Sequence, residues 1–281
     1  MGLLDGKYAL IYGVANRRSI AWAIAQAMSR EGAKLALTYQ SERVEKMVRD
    51  CADQIPGTVM IQADVTDDTQ INHVYDRLGE EWGRIDVLVH SIAYAPEEEL
   101  RGSFVDTSRA GFGTCLEVSA YSLVAVTKPA TALMTEGGSI ITLTYLASER
   151  VFPNYNVMGV AKAALEAGVR YLAADLGPSN IRVNAISAGP ISTLAARGIR
   201  GFTGFAKAYP ERAPLRRATD PAEVGDTAVY LASNLSRGVT GEVLFVDEGF
   251  HVLGMEISKL LRRKIDSTSR PSMRLRLSRD R

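Results

Sequence analysis

Tyr145, Tyr155 and Lys162 share the short stretch "TYLASERVFPNYNVMGVAK" (Thr144 to Lys162), and all three side chains can handle a proton. Tyr155 stands seven residues before Lys162. On a helix that is two turns, which would place both on one face about 10 Å apart along the axis. A phenol ordinarily keeps its proton to about pH 10. A nearby ammonium favours the charged form and makes the hydroxyl a better donor toward a developing oxyanion. The ammonium can also hold ribose hydroxyls. Tyr145 closes an apolar run and would face the same crevice. A single Tyr–Lys pair is more often a packed surface pair, so the chemical reading needs a cofactor site beside it.

The surrounding chain supplies one. Seven short apolar runs recur: "KYALIYG" (7–13), "KLALTY" (34–39), "TVMIQADV" (58–65), "RIDVLVHSIA" (84–93), "GSIITLTYLA" (138–147), "NIRVNAIS" (180–187) and "GEVLFVDEG" (241–249). Helix-length segments separate them. Ile20, Ile24, Ala27 and Met28 repeat at helical spacing before Gly32 stops the first, and Trp82-Gly83 closes a later one. Continuously apolar strands are buried on both faces. The pattern predicts an α/β fold, a Rossmann-like doubly wound parallel sheet of about seven strands in a single domain over residues 1–255.

In such a sheet a dinucleotide lies at the carboxyl edge. The first turn, "YGVANRRSIAWAI", has only Gly13 of the three glycines of a full fingerprint. Gly13 permits a sharp turn, Ser19 is placed to cap the helix, and that helix start suits a pyrophosphate, with Arg17 and Arg18 adding charge. Gln40 closes strand two. Asp64 closes strand three, where it can accept from an adenine amino group. Ser91, Ile92 and Ala93 close strand four with room for a ribose, and strand six runs into "SAGPIST".

Bulk composition narrows the rest. The chain has 281 residues and a formal net charge of +1, so no global field points to nucleic acid. Residues 256–281 carry nine Lys/Arg against three Asp/Glu, leaving residues 1–255 at a net −5. That basic tail is expected to be solvated or disordered. Cys51 and Cys115 are far apart with no metal spacing, which argues for a reducing cytoplasm. No signal peptide and no membrane span are expected. A hydrolase is disfavoured: "AISAG" around Ser187 has Ala185 where an elbow needs Gly, and Pro190 interrupts the helix.

The motifs "HSIAYAP", "YLASERVFPNYNVMGVAK" and "RVNAISAGPISTLAA" together resemble the enoyl-acyl carrier protein reductases of bacterial fatty acid synthesis, a branch of the short-chain dehydrogenase/reductase superfamily. The likeness spans about Met1–Met255. It implies NADH-dependent reduction of a trans-2-enoyl thioester, with Tyr145, Tyr155 and Lys162 as catalytic residues. It implies cofactor contacts at Gly13, Ser19, Ile20, Gln40, Asp64, Val65, Ile92, Lys162, Ile191, Ser192, Thr193, Leu194 and Ala195. Ala95, Tyr145 and Tyr155 would meet the substrate. Gln40 suits NADH, while Arg43 one turn later can reach the 2′-phosphate of NADPH. A carbonyl-reducing dehydrogenase and a non-enzymatic dinucleotide sensor are the rival readings.

The resemblance also implies a homotetramer, for which a deep monomeric core is the alternative reading of the all-round apolar helix expected to begin at Tyr155. Residues 191–218 would form a lid. Arg197, Arg200, Lys207, Arg212, Arg216 and Arg217 oppose only Glu211 there, a basic lip that could steer an acidic acyl carrier protein. "VDEG" (246–249) replaces the family's Asp-Gly-Gly and is expected to put Glu248 near a subunit contact.

Overall fold

The computed structural model describes residues 1–194, 196 and 201–254. Its first unit, Met1–Phe250, holds the seven strands described below; a second, His251–Arg281, is described only over residues 251–254. The expected tail from residue 256 onward lies outside the described residues.

The strands are β1 (Tyr8–Tyr12), β2 (Lys34–Tyr39), β3 (Val59–Gln62), β4 (Val87–His90), β5 (Gly138–Thr144), β6 (Ile181–Ala188) and β7 (Val243–Val246). All pair in parallel in the order β3-β2-β1-β4-β5-β6-β7. Each apolar run of the sequence contributes one strand, as expected. The order reverses direction between β1 and β4, and an open α/β sheet offers its ligand crevice at such a point.

Among the described residues, eight α-helices cover the faces: α1 (Ile20–Arg30), α2 (Glu42–Ala52), α3 (Asp68–Trp82), α4 (Arg109–Leu116), α5 (Ser122–Leu133), α6 (Val157–Leu176), α7 (Phe202–Arg212) and α8 (Pro221–Ala232). β1 shows how the two layers divide. Ala9 and Ile11 pack with Trp22, Ile24 and Met28 of α1 and Val224 and Ala228 of α8. Leu10 and Tyr12 turn to the other side, against Ile71 and Val74 of α3, Leu123 and Val126 of α5, and Leu165 and Val169 of α6. A strand with both faces buried reads as a continuous apolar run, which is why these segments were recognisable.

A π turn at Glu117–Tyr121 joins α4 to α5. Within the helical stretch Arg109–Leu133 an 18-residue window reaches a mean hydropathy of 1.2, long and apolar enough by length and composition to cross a membrane, where the sequence predicts no such stretch. Cys115, Ser119, Leu123, Val126 and Ala130 bury its inner face within the protein. Ser187, the residue of the hydrolase reading, is buried within β6 beside Thr144 and Phe245 rather than raised on an elbow.

Candidate active site

The turn leaving β1 lies directly on the end of β4. Gly13 adopts φ +100°, and a Cβ there would collide with the Ser91 carbonyl oxygen. Only glycine meets both demands. Ser19 occupies the N-cap of α1 but does not cap it with its side chain. Its hydroxyl instead accepts from the backbone N–H groups of Ala15 and Asn16, each at 3.1 Å. The serine therefore braces the turn, and no side-chain cap occupies the α1 N-terminus, which suits a pyrophosphate.

Gln40 and Asp64, predicted separately, meet each other. Gln40 Nε2 donates to Asp64 Oδ2 at 2.9 Å, and Thr66 donates to Asp64 Oδ1 from both its backbone N–H and its hydroxyl. Burial works to raise the Asp64 pKa, but these hydrogen bonds together outweigh it and hold the carboxyl below its ordinary range. An ionised acceptor is thus fixed at the ends of β2 and β3, on the side of the crevice where an adenosine would lie. Ile191 is buried beyond the end of β6, while Ser192 and Leu194 are exposed and Thr193 accepts from the Ala196 N–H. Ala195 lies outside the described residues.

Tyr145 follows β5 immediately, and its ring packs 5.2 Å from that of Tyr155. The route by which the chain brings Tyr155 there differs from expectation. Helix α6 begins at Val157, because Asn154 and Asn156 adopt φ of +64° and +41° and interrupt any helix through Tyr155. Left-handed single residues are affordable for asparagine and are incompatible with continued α-helix. Tyr155 thus sits on a turn ahead of the helix, not two turns along one face from Lys162. Its ring joins Ala95, Leu100, Cys115, Val157, Met158 and Ala161 in one apolar cluster. Gly159 permits this closeness, since a Cβ there would come 2.8 Å from the Ala147 carbonyl oxygen.

Lys162 is buried on α6, and its ammonium donates to the Leu143 carbonyl at the end of β5, at 2.8 Å. Burial lowers its pKa to about 8, opposed by Cys115 and Glu166. Tyr155 goes the other way: burial first, then the Cys115 thiol, raise its pKa well above the ordinary phenol value. The expectation that Lys162 would lower it is not met, because desolvation dominates at this separation. The hydroxyl is kept protonated and is a hydrogen-bond donor, not a ready acid.

Several contributors had no signature in the sequence. Phe152, Phe205, Tyr209 and Phe250 continue from Tyr145 as a train of ring contacts, so α7 connects to Tyr145 by way of Phe152. Tyr209 further donates to the Asp247 carbonyl at 2.7 Å. The π turn presents Ser119, whose hydroxyl accepts from Tyr94 N–H and donates to Tyr94 C=O, clamping the segment that carries Ala95. π turns often mark functional sites. Their cause is tertiary, so periodicity could not reveal them.

Within the chain, charged groups of and beside the expected lid have partners. Arg217 is not free for a partner, being paired with Glu223 and Glu248, and the Arg216 guanidinium donates to the Glu211 carbonyl. Arg197 and Arg200 lie outside the described residues. Glu248 is buried inside the chain, not at a surface, with φ +53° and its carboxylate bonded to the Thr219 hydroxyl as well as to Arg217. It anchors the segment between α7 and α8.

The whole-chain comparisons agree with this geometry. The family model described as enoyl-(acyl carrier protein) reductase matches residues 13–251. The chain is 54% identical over 256 residues to the enoyl-[acyl-carrier-protein] reductase [NADH] of Bacillus cereus, covering 90% of this chain and all of that one. It is 52% identical over 253 residues to the Rickettsia felis enzyme of the same name, covering 90% and 97%. Among solved structures, the Bacillus cereus reductase with NADP+ and indole naphthyridinone superposes with a TM-score of 0.89 at 54% identity, covering 91% of this chain and 100% of that one. The Anaplasma phagocytophilum reductase in complex with NAD gives 0.88 at 48% identity, covering 91% and 98%.

Proposed function

The chain belongs to the enoyl-(acyl carrier protein) reductase family, and we propose that it reduces the trans-2 double bond of enoyl thioesters carried on acyl carrier protein, using NADH. The observation that carries the mechanism is the convergence of the protonated Tyr155 hydroxyl, the Tyr145 ring and the buried Lys162 at the end of β5.

Bound NADH supplies a hydride to C3 of the enoyl chain. As that bond forms, the π electrons shift and negative charge gathers on the thioester oxygen at C1. Tyr155 donates a hydrogen bond to that oxygen and stabilises the enolate, a contribution that grows toward the transition state. A proton then adds at C2, leaving the saturated acyl thioester and NAD+. We assign Lys162 to the nicotinamide ribose, where its charge also favours the developing anion. Tyr145 fixes the Tyr155 ring by packing against it. The Gly13 turn and the α1 N-terminus hold the pyrophosphate, and Asp64, braced by Gln40, accepts from the adenine amino group. Ile20, Val65, Ile92 and residues 191–195 complete the cofactor contacts, and Ala95 borders the acyl site.

The α7 helix, linked to Tyr145 through Phe152, which its Phe205 ring meets edge-on, is read as part of a lid over the acyl pocket. Among the described residues, the exposed Lys207 is a candidate for steering an acidic carrier, whereas Arg216 and Arg217 are engaged. We further read the protein as a homotetramer acting in the cytoplasm. Exposed Phe112, Tyr121 and Val124 on the Arg109–Leu133 stretch and Val160 and Tyr171 on the neighbouring α6 support self-association. The two buried free cysteines suit a reducing compartment.

The test of the reaction is to offer NADH with a crotonyl thioester and, separately, with an acetoacetyl thioester, and to follow loss of reduced-nicotinamide absorbance. Oxidation with the crotonyl substrate is expected. Oxidation with the ketone alone would instead assign a carbonyl reductase, and oxidation with neither a binding protein. A parallel run with NADPH measures cofactor preference.

A further inference from the structure

Burying an ammonium without a counter-charge is costly, and the usual outcome is loss of its proton. Lys162 is 5% exposed, so the groups around it decide its state. From β5 the Leu143 carbonyl accepts from it. From β4 it faces His90, which burial first and Lys162 second push down to about 3, leaving a neutral imidazole between the Thr142 and Ser122 hydroxyls. From α4 it faces Cys115, whose thiol burial raises and keeps neutral. The one carboxylate among the described groups acting on it is Glu166, four residues later on α6 and itself only 7% exposed. Residues four apart on a helix lie on one face. Glu166 does not lie slack there: the Thr144 hydroxyl donates to its Oε1 at 2.6 Å. Consecutive residues at the end of β5 thus grip both side chains, Leu143 the cation and Thr144 the anion.

We propose that Glu166, oriented by Thr144, is the counterion and positioning residue that keeps Lys162 charged and fixed beneath the nicotinamide ribose. It does not touch substrate; it acts through Lys162. The proposal rests on the reading of Lys162 given above and extends it to a residue pair that the sequence motifs do not single out.

The experiment uses the full chain with NADH and a crotonyl thioester, recording kcat/KM from pH 6 to 9.5. Because kcat/KM reports groups of the free enzyme, deprotonation of Lys162 should set the alkaline limb. In E166Q, which keeps the shape and a partner for Thr144, that limb is expected to move to lower pH by about one unit. E166D should return it toward the original position. A limb unmoved in E166Q overturns the proposal. If E166Q gives no folded chain by circular dichroism, T144V replaces it: freeing the carboxylate should lower the limb by roughly half a unit, and an unmoved limb there is equally fatal. K162M separates the two layers. Full activity in K162M would defeat the reading of Lys162 itself, whereas an inactive K162M with an unmoved E166Q limb defeats only the role of Glu166.

Discussion

At the scale of single residues, the site works by desolvation more than by pairing. Burial pushes the Tyr155 phenol and the Lys162 ammonium in opposite directions, each toward its neutral form. For tyrosine that is useful, since a protonated hydroxyl can donate to an enolate without first finding a proton. For lysine it is a cost with a measurable sign. The lysine value is 10.5 when unperturbed and about 8 in the folded chain. Between those values the unfolded chain holds a proton that the folded chain has lost, so stability must rise with pH across that window and be level with respect to this group below it. Denaturant melts of the protein and of K162M at pH 7.5 and 9.5 check this. The stability gap between them should shift in favour of the lysine protein at the higher pH; a constant gap would mean that Lys162 is not desolvated. The residue types and their spacing were legible in the sequence, because chemistry-bearing side chains cluster at strand ends. The sign of the tyrosine shift was not legible, because it depends on how much apolar surface closes over the ring.

At the scale of elements, close backbone approach brings the two tyrosines together. The start of α6 sits against the turn after β5, with no room for a Cβ at Gly159. G159A should force α6 away from Ala147, cost about 1–3 kcal/mol by overpacking, and lower kcat more than it raises the KM for NADH. Thermal melts and steady-state kinetics read both; a G159A protein with unchanged melting and unchanged kcat would contradict this account of the contact. The inner strands were readable because their apolar runs are buried on two faces, whereas β3 and β7 at the sheet edges are only partly buried. Helix α6 starts two residues later than the apolar spacing predicts. "NYN" carries no Gly or Pro to announce a break, and two asparagines in the left-handed region end the pattern instead. The π turn and the aromatic train were likewise hidden, since both arise from contacts between distant segments. Glu248 shows the same limit: its departure from the family pattern was visible, but its burial against Thr219 and Arg217 was not.

At the scale of the whole molecule, one parallel sheet places Gly13, Gln40 and Asp64 beyond the ends of β1, β2 and β3 and Tyr145 beyond the end of β5, on either side of the β1–β4 reversal. The outer faces of the Arg109–Leu133 stretch and of α6 are left with large apolar side chains in solvent, Tyr171 being 76% exposed. If those faces meet in a homotetramer, Y171R should shift the species seen by sedimentation velocity toward smaller assemblies while leaving the circular dichroism spectrum intact. A monomeric wild-type chain would contradict the tetramer without touching the chemistry. The most direct test of the chemistry itself is the single substitution Y155F, assayed with NADH and a crotonyl thioester. The ring, its packing on Tyr145 and the cofactor site all remain, so NADH affinity by fluorescence titration should be unchanged while kcat falls by about 10²–10³. A Y155F protein that turns over near the wild-type rate would contradict the assignment of Tyr155 as the donor to the enolate oxygen.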